Sequence, residues 1–263
     1  MTPLFFGTPQ RRLFGVYAPA RARATGAKAV VLCHPWGQEY LRAHRSMRHL
    51  SNLLSAAGHH VLRFDYFGTG DSAGDMLDAD LAGWERDIDT AIQELMDSAG
   101  TRRVALVGLR LGATLAARVA NRRRREIESL VLWDPVVNGS EYLDELASTE
   151  KRQKWAGPQG SPRPAERGGG HEFLGFALSA RLEDEIRALD LTAQAAAMPA
   201  RTFIPFSQAL PSHDALRTSL AARPDNGVAL EHIESLYAWR QYEEFGAGAL
   251  PLRVLDRIAR VFG

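Results

Sequence analysis

Short apolar runs alternate with segments of helical periodicity along most of the chain. Four runs have the length and the Val/Leu content of buried strands, at residues 29–33, 61–64, 104–107 and 129–133. Five apolar residues recur at helical spacing and predict an amphipathic crossover helix over 80–97, namely Leu81, Trp84, Ile88, Ile92 and Leu95. Strands that alternate with helices are typical of a mostly parallel sheet flanked by helices, so the predicted fold class is α/β.

The alternation breaks between residues 138 and 198 and returns with runs at 200–204 and 228–233. We interpret 138–198 as a cap insertion over the carboxyl edge of the sheet, within a single domain of residues 1–263. Inside the cap, residues 151–170 are rich in proline, glycine and basic side chains. That composition predicts a mobile loop.

A Gly-Leu-Arg-Leu-Gly sequence at 108–112 joins the third predicted strand to an alanine-rich helix. Hydrolases with a nucleophilic serine place G-x-S-x-G at such a strand-to-helix turn, which exposes the serine. In this chain Arg110 stands in the place of the serine. A guanidinium is permanently protonated and has no lone pair with which to attack a carbonyl. A serine mechanism at position 110 is therefore excluded.

Four segments carry a family resemblance: HPWGQEY at 34–40, RFDYFGTGDSAGD at 63–75, GLRLG at 108–112 and LWDPVV at 132–137. Together they resemble the α/β-hydrolase superfamily. More narrowly, they resemble the bacterial proteins called exosortase A system-associated hydrolase 2, and related serine aminopeptidase-like proteins, in which the elbow also reads G-L-R-L-G. The resemblance implies an α/β-hydrolase fold, esterase-like or thioesterase-like activity, and a setting in extracellular polysaccharide or secondary-metabolite pathways.

Arg110 has two alternative roles. It lies beside the N-terminus of a helix, where backbone N–H groups attract anions, so its guanidinium is suited to clamp a carboxylate or phosphate of a substrate. Alternatively, it pairs internally with Glu39, Asp134 or Glu234 and fills a vestigial pocket. Asp134, at the carboxyl end of its strand, serves either as a general base or as the partner of Arg110, and we favour the partner role.

The segment at 34–40 follows a buried strand, where hydrolases of this fold place a loop that donates one N–H to an oxyanion hole. The backbone N–H groups of Trp36 and Gln38 are the candidates, with the N–H of Leu111 as the second donor. Trp239, in the stretch where a catalytic base is expected, is a further candidate for substrate binding.

The acid and the base of a catalytic triad are difficult to find. Asp214 is the only acid close to the expected position, and it is also placed to cap a helix predicted at 215–222. No histidine occurs between the last predicted strand and the final helix, and His232, inside that strand, is interpreted as a core residue. Cys33 is interpreted as a core residue, and Ser72 as part of a structural turn.

Composition narrows the class of partner. The chain has 263 residues and a formal net charge of +1, which argues against a nucleic-acid or membrane-surface partner. A single cysteine excludes an intramolecular disulfide, and with no evident signal peptide and no run of membrane-span length it favours the cytoplasm. The sequence contains no metal-ligand cluster, dinucleotide fingerprint or phosphate-binding loop, so neither a metal nor a cofactor is predicted.

Three functions stay open. The first is an enzyme that acts on a small-molecule acyl, ester or thioester substrate, anionic or carrier-bound, with Arg110 as anion clamp and water or a substrate group as the nucleophile. The second is a non-catalytic pseudo-hydrolase that binds a carboxylated or carrier-bound acyl ligand. The third is a lyase or acyl-transfer enzyme on the same fold.

Overall fold

Strands and helices alternate along the described part of the chain, which comprises residues 1–22, 27–152, 171–199, 201–222, 227–240 and 250–263 of a computed structural model. The strands are β1 (Thr2–Thr8), β2 (Arg11–Ala18), β3 (Ala29–Cys33), β4 (His60–Phe64), β5 (Val104–Leu109), β6 (Ile127–Trp133), β7 (His171–Phe173), β8 (Phe176–Leu178), β9 (Thr202–Phe206) and β10 (Val228–His232). The helices are α1 (Gly37–Ala56), α2 (Leu81–Ala99), α3 (Leu111–Arg122), α4 (Gly139–Arg152), α5 (Ala180–Arg187), α6 (Pro211–Ala221) and α7 (Leu252–Ala259).

Eight of these strands form one sheet in the order β1-β2-β4-β3-β5-β6-β9-β10. β1 pairs with β2, and β2 with β4, in antiparallel fashion, and every pairing from β4 to β10 is parallel. The central strands β3 and β5 are buried at every residue, as their near-continuous Val and Leu content requires in a parallel sheet covered on both faces. The predicted mostly parallel sheet flanked by helices is confirmed.

Two hydrophobic cores cover the two faces of the sheet. On one face, α2 and α3 pack through buried side chains that include Trp84 and Ile88. On the other face, α1 and α7 pack through side chains that include Met47 and Leu255. α2 begins where the Asp80 carboxylate accepts the N–H of Gly83, within a residue of the predicted start. None of the helices in the described ranges is long and apolar enough to span a membrane.

The segment predicted as a cap, 138–198, contains α4, the antiparallel hairpin β7–β8, α5 and a short 3-10 helix at Thr192–Ala197. The hairpin reaches the carboxyl edge of the sheet, where the Phe176 ring lies edge-on to the Trp36 ring with 6.2 Å between centroids. α4 lines the cleft described below. The boundaries of the cap stay a prediction.

Details of three sequence predictions change in the structure. The helix predicted at 215–222 begins at Pro211, because proline suits the first turn of a helix, so Asp214 does not cap it. His232 is exposed rather than part of the core, because β10 lies at the edge of the sheet. The loop predicted at 151–170 lies outside the described residues, except that its first two residues end α4.

The close contact between α3 and the loop after β3 predicts a sharp steric limit at Gly112. A Cβ built on Gly112 lies 2.2 Å from the carbonyl oxygen of His34, which is backbone and cannot move aside cheaply. We expect Gly112→Ala to lower the free energy of unfolding by more than about 2 kcal/mol in urea denaturation, although Gly→Ala in a helix is ordinarily stabilising.

Gly100→Ala is the matched control. Gly100 has φ of 63° and no atom within 4 Å of an added Cβ, so only backbone strain of about 1 kcal/mol is expected there. A Gly112→Ala protein as stable as the wild type would contradict the tight contact.

Candidate functional site

The turn between β5 and α3 has the backbone geometry of a nucleophile elbow. Arg110 adopts φ of 53° and ψ of −123°, a conformation that is strained for a residue with a side chain. Glycine is required on both sides of it, because a Cβ on Gly108 would lie 2.3 Å from the Cα of Ala113 and one on Gly112 would meet the backbone of His34. The chain therefore keeps the turn although it lacks the serine.

Arg110 is buried and fully engaged by protein groups. Its Nε donates to Oε1 of Glu39 at 2.9 Å, and its Nη2 donates to Oε2 of Glu145 at 2.5 Å. The guanidinium carbon lies 4.7 Å from the ring centroid of Trp239 and 5.3 Å from that of Tyr142. The hydroxyl of Tyr142 donates to the other oxygen of Glu39 at 3.0 Å. Only 2% of Arg110 is exposed, so the elbow presents no free reactive group.

The charged groups of this cluster shift one another's pKa values. Burial alone favours loss of the proton from Arg110, but Glu39 and Glu145 outweigh burial and raise its pKa above the ordinary value. For Glu39, burial is the largest effect and raises its pKa, against the opposing influence of Arg110. For Glu145, burial is outweighed by Arg110 and Arg240, which lower its pKa. Arg110 is thus a permanent cation that neutralises buried carboxylates.

Arg110 is paired within the protein, which is the second of the two expected roles. Its partners differ in part from those expected. Glu39 is one of the three expected partners. Asp134 and Glu234 form no ion pair with Arg110, and Glu234 is exposed. The second partner is Glu145, which the sequence did not indicate because its position depends on how α4 packs over the sheet.

The expectation that Asp134 pairs with Arg110 is wrong. Asp134 follows β6 with φ of 43° and is 1% exposed. Its Oδ1 accepts the backbone N–H of Ser207 and its Oδ2 accepts the Ser207 hydroxyl, both at 2.7 Å. Burial raises the pKa of Asp134 to about 6, against the opposing hydrogen bonds from Ser207. Asp134 therefore ties the ends of two adjacent strands together.

The candidate oxyanion donors lie at the start of two helices. Gly37 begins α1, so Gln38 lies in the first turn of a helix rather than in the expected loop, and Trp36 is the residue before it. The indole of Trp36 is buried and donates to the sulfur of Met76 at 3.3 Å. Leu111 is the first residue of α3. First-turn N–H groups have no partner within their own helix, but the role of these three as oxyanion donors stays a prediction.

A cleft of about 410 Å³ opens above Arg110. Its described lining includes Glu141, Asp144 and Glu145 from α4, and Arg240 from the stretch after β10. Arg240 in turn donates to Glu145 at 3.0 Å. Because Arg110 and Arg240 both donate to Glu145, neither guanidinium group of this lining is free for an anionic ligand.

The described residues of the cleft do not include a histidine, and the sequence has none after His232. His213 is the nearest candidate, since it follows Ser212 in the cleft wall. It is buried, stacks on Phe206 with 3.8 Å between ring centroids, and burial lowers its pKa to about 4. Asp134 does not line the cleft. Among the described residues, no histidine is thus positioned to act as a base beside residue 110.

Comparison with known families agrees with the fold. The family described as "Serine aminopeptidase, S33" matches residues 25–164, slightly more than half of the chain. The chain belongs to this family. Its fold is therefore the α/β-hydrolase fold. No curated protein sequence matches the chain.

Solved structures of hydrolases superpose on nearly the whole chain at low sequence identity. A proline iminopeptidase from Mycobacterium smegmatis has a TM-score of 0.66 at 14% identity, covering 99% of this chain and 97% of that chain. Est1E from Butyrivibrio proteoclasticus, with ferulic acid bound, has 0.64 at 12%, covering 98% and 96%. A thioesterase domain from the curacin biosynthetic pathway has 0.60 at 17%, covering 100% and 99%. At these identities the likeness shows the fold alone.

Cys33 and Ser72 have the structural roles that the sequence indicates. Cys33 is fully buried, and burial raises the pKa of its thiol to about 12, so it stays a protonated core residue. The Ser72 hydroxyl donates to the carbonyl of Asp65 at 2.6 Å and accepts the N–H of Phe14, which fixes the turn after β4. The described residues contain no group of three or more His, Cys, Asp or Glu able to hold a metal ion.

The buried ion pair predicts strong coupling between Arg110 and Glu39. Arg110→Met leaves the carboxylate of Glu39 buried without its cation, so we expect a loss of about 3–5 kcal/mol in the free energy of unfolding. Glu39→Gln combined with Arg110→Met should recover most of that loss, because Glu39 no longer carries a charge. Urea denaturation of the single and double variants measures the coupling.

Arg217→Met is the control, because the Arg217 side chain is 60% exposed and its ion pair with Asp214 lies on the surface. It should cost less than about 1 kcal/mol. Additive effects of the Arg110 and Glu39 substitutions would contradict the coupling.

The raised pKa of Asp134 predicts a specific pH dependence of stability. The folded protein holds this proton more tightly than the unfolded chain, where the pKa of Asp is about 3.9. The resulting stability is fully present below about pH 4 and is lost as pH rises through about 6. Relative to Asp134→Asn, the wild type should lose about 3 kcal/mol between about pH 3 and pH 7 in urea denaturation. Parallel pH profiles of the two proteins would disprove the shift.

Proposed function

We propose that this protein is a non-catalytic member of its family, a pseudo-hydrolase that binds a small ligand in the cleft above Arg110. The observation that carries the proposal is the ion pair of Arg110 with Glu39 and Glu145 at the position of the nucleophile. A guanidinium cannot attack a carbonyl, and this one is already neutralised by two carboxylates. An anion clamp would require the ligand to displace one of them.

The charge of the cleft bears on the class of ligand. Glu141 and Asp144 are exposed on α4, and Arg240 is engaged by Glu145 and by Gln208 at 3.4 Å. These contacts favour an uncharged or cationic group over the carboxylate that the sequence suggested. An uncharged acyl chain is consistent with one structural neighbour, a thioesterase domain from the curacin biosynthetic pathway. We also propose that, within its family, the protein is related to the proteins called exosortase A system-associated hydrolase 2, which its sequence motifs resemble.

One observation favours a second candidate, hydrolysis by a water molecule that Asp134 activates. A carboxylate with a pKa of about 6 is suited to general-base catalysis near neutral pH. Against it, both oxygens of Asp134 accept hydrogen bonds from Ser207, and the side chain does not reach the cleft. We therefore rank it below the pseudo-hydrolase.

Steady-state hydrolysis of p-nitrophenyl esters and acyl thioesters tests the proposal. We expect no turnover above buffer for the wild type. Arg110→Ser should also show neither burst acylation nor turnover, because no histidine is positioned to deprotonate the new hydroxyl. An active serine esterase in the same assay controls for substrate quality.

Turnover by the wild type that disappears in Asp134→Asn would refute the proposal and support the second candidate. Burst acylation of Arg110→Ser followed by steady turnover would show that a working base is present after all.

A further inference from the structure

A second cavity of about 80 Å³ lies at the carboxyl ends of β3 and β4, under the first turns of α1. It shares no lining residue with the central cleft. Its charged and titratable lining side chains are His34, Tyr40, His44, Arg63, Asp65 and Asp71. The space is several times that needed by one water molecule and is suited to one compact ligand.

Arg63 is the unusual residue of this cavity. Side chains along β4 alternate between the two faces of the sheet. Leu62 and Phe64 belong to the core under α2, so Arg63 lies on the other face of the sheet. Arg63 is only 6% exposed, yet among the described residues its guanidinium has no ion-pair partner within 4.0 Å and its Nε has no hydrogen-bond acceptor. A buried cation without an ion-pair partner is unfavourable, and an anionic ligand in this cavity would supply one.

His34 supplies a second unsatisfied group. It is 2% exposed, its ring lies 5.3 Å from that of Tyr40, and its Nδ1 has no hydrogen-bond partner among the described residues. Burial lowers its pKa to about 3, so the imidazole is neutral and carries one N–H donor. A neutral histidine adds a hydrogen bond to an anion without adding charge.

The acidic residues of the cavity limit the charge of a ligand. Oδ1 of Asp65 accepts the Tyr40 hydroxyl at 2.8 Å, and Oδ2 accepts the N–H of Asp71 at 3.1 Å. Asp65 is therefore used by its own turn and is not the ion-pair partner of Arg63. A dianion such as phosphate would be repelled by the two aspartates, whereas a monoanion is balanced by Arg63.

We propose that this cavity binds a small monocarboxylate of the size of formate or acetate, held by the Arg63 guanidinium with His34 as a second donor. A planar carboxylate matches the two parallel N–H bonds that a guanidinium offers. The site is independent of the proposed pseudo-hydrolase function, because it shares no lining residue with the central cleft.

Thermal unfolding in sodium acetate and sodium formate, at constant ionic strength set with sodium chloride, tests the site. We expect a saturable rise in Tm for the wild type, because a ligand that binds only the folded state stabilises it. Arg63→Met should weaken acetate binding at least about tenfold, and without ligand it should unfold at a higher temperature than the wild type, because a buried unpaired charge is removed. A merely structural Arg63 would instead give a less stable variant.

Arg217→Met and Arg240→Met are the controls, one on the exposed face of α6 and one at the central cleft. Both should retain the acetate response. The absence of a saturable shift, or its loss in Arg240→Met rather than Arg63→Met, would overturn the proposal.

If Arg63→Met does not fold, the NMR signals of the histidine rings in the wild type test the site instead. Acetate should shift the ring signal of His34 and leave that of His213, beside the central cleft, unchanged. A shift of His213 alone, or of neither ring, would reject the site.

Discussion

The ion pairs of Arg110 are the constraint on which the rest of the site depends. Its guanidinium joins Glu39 at the start of α1, Glu145 in α4 and the Trp239 ring after β10, so one buried cation links the sheet, the predicted cap and the last third of the chain. Glu39 would be a buried carboxylate without a counter-charge if Arg110 moved. The arrangement stabilises one fixed geometry above the elbow, where a hydrolase needs open space for its substrate.

The elbow keeps the backbone geometry of this fold with a different side chain at its tip. The strained backbone at residue 110 and the tight glycines on either side serve, in a serine hydrolase, to expose a nucleophile. In this chain the same turn places a guanidinium between two carboxylates and two aromatic rings. Membership of the serine aminopeptidase family therefore establishes the architecture, but a fold by itself does not fix the chemistry at residue 110.

Local patterns predicted much of this structure. The apolar runs located β3, β5 and β6, helical spacing located α2, and the elbow motif located Arg110, with Glu39 among its three expected partners. The features that were missed depend on tertiary packing. Glu145 reaches Arg110 only because α4 folds back over the sheet, and Asp134 turns to Ser207 because parallel pairing places the ends of β6 and β9 side by side. His232 was assigned to the core because its sequence does not reveal that β10 is the edge strand.

The central claim is that the Arg110 guanidinium is fully paired with the carboxylates of Glu39 and Glu145. The 15N NMR signal of its Nε–H tests this claim most directly. We expect a slowly exchanging resonance that shifts in Glu39→Gln and does not respond to carboxylate ligands, because the donor is already bound within the protein. A rapidly exchanging signal in the wild type, or one that moves when a carboxylate is added, would show that the guanidinium is available to a ligand and would contradict the account.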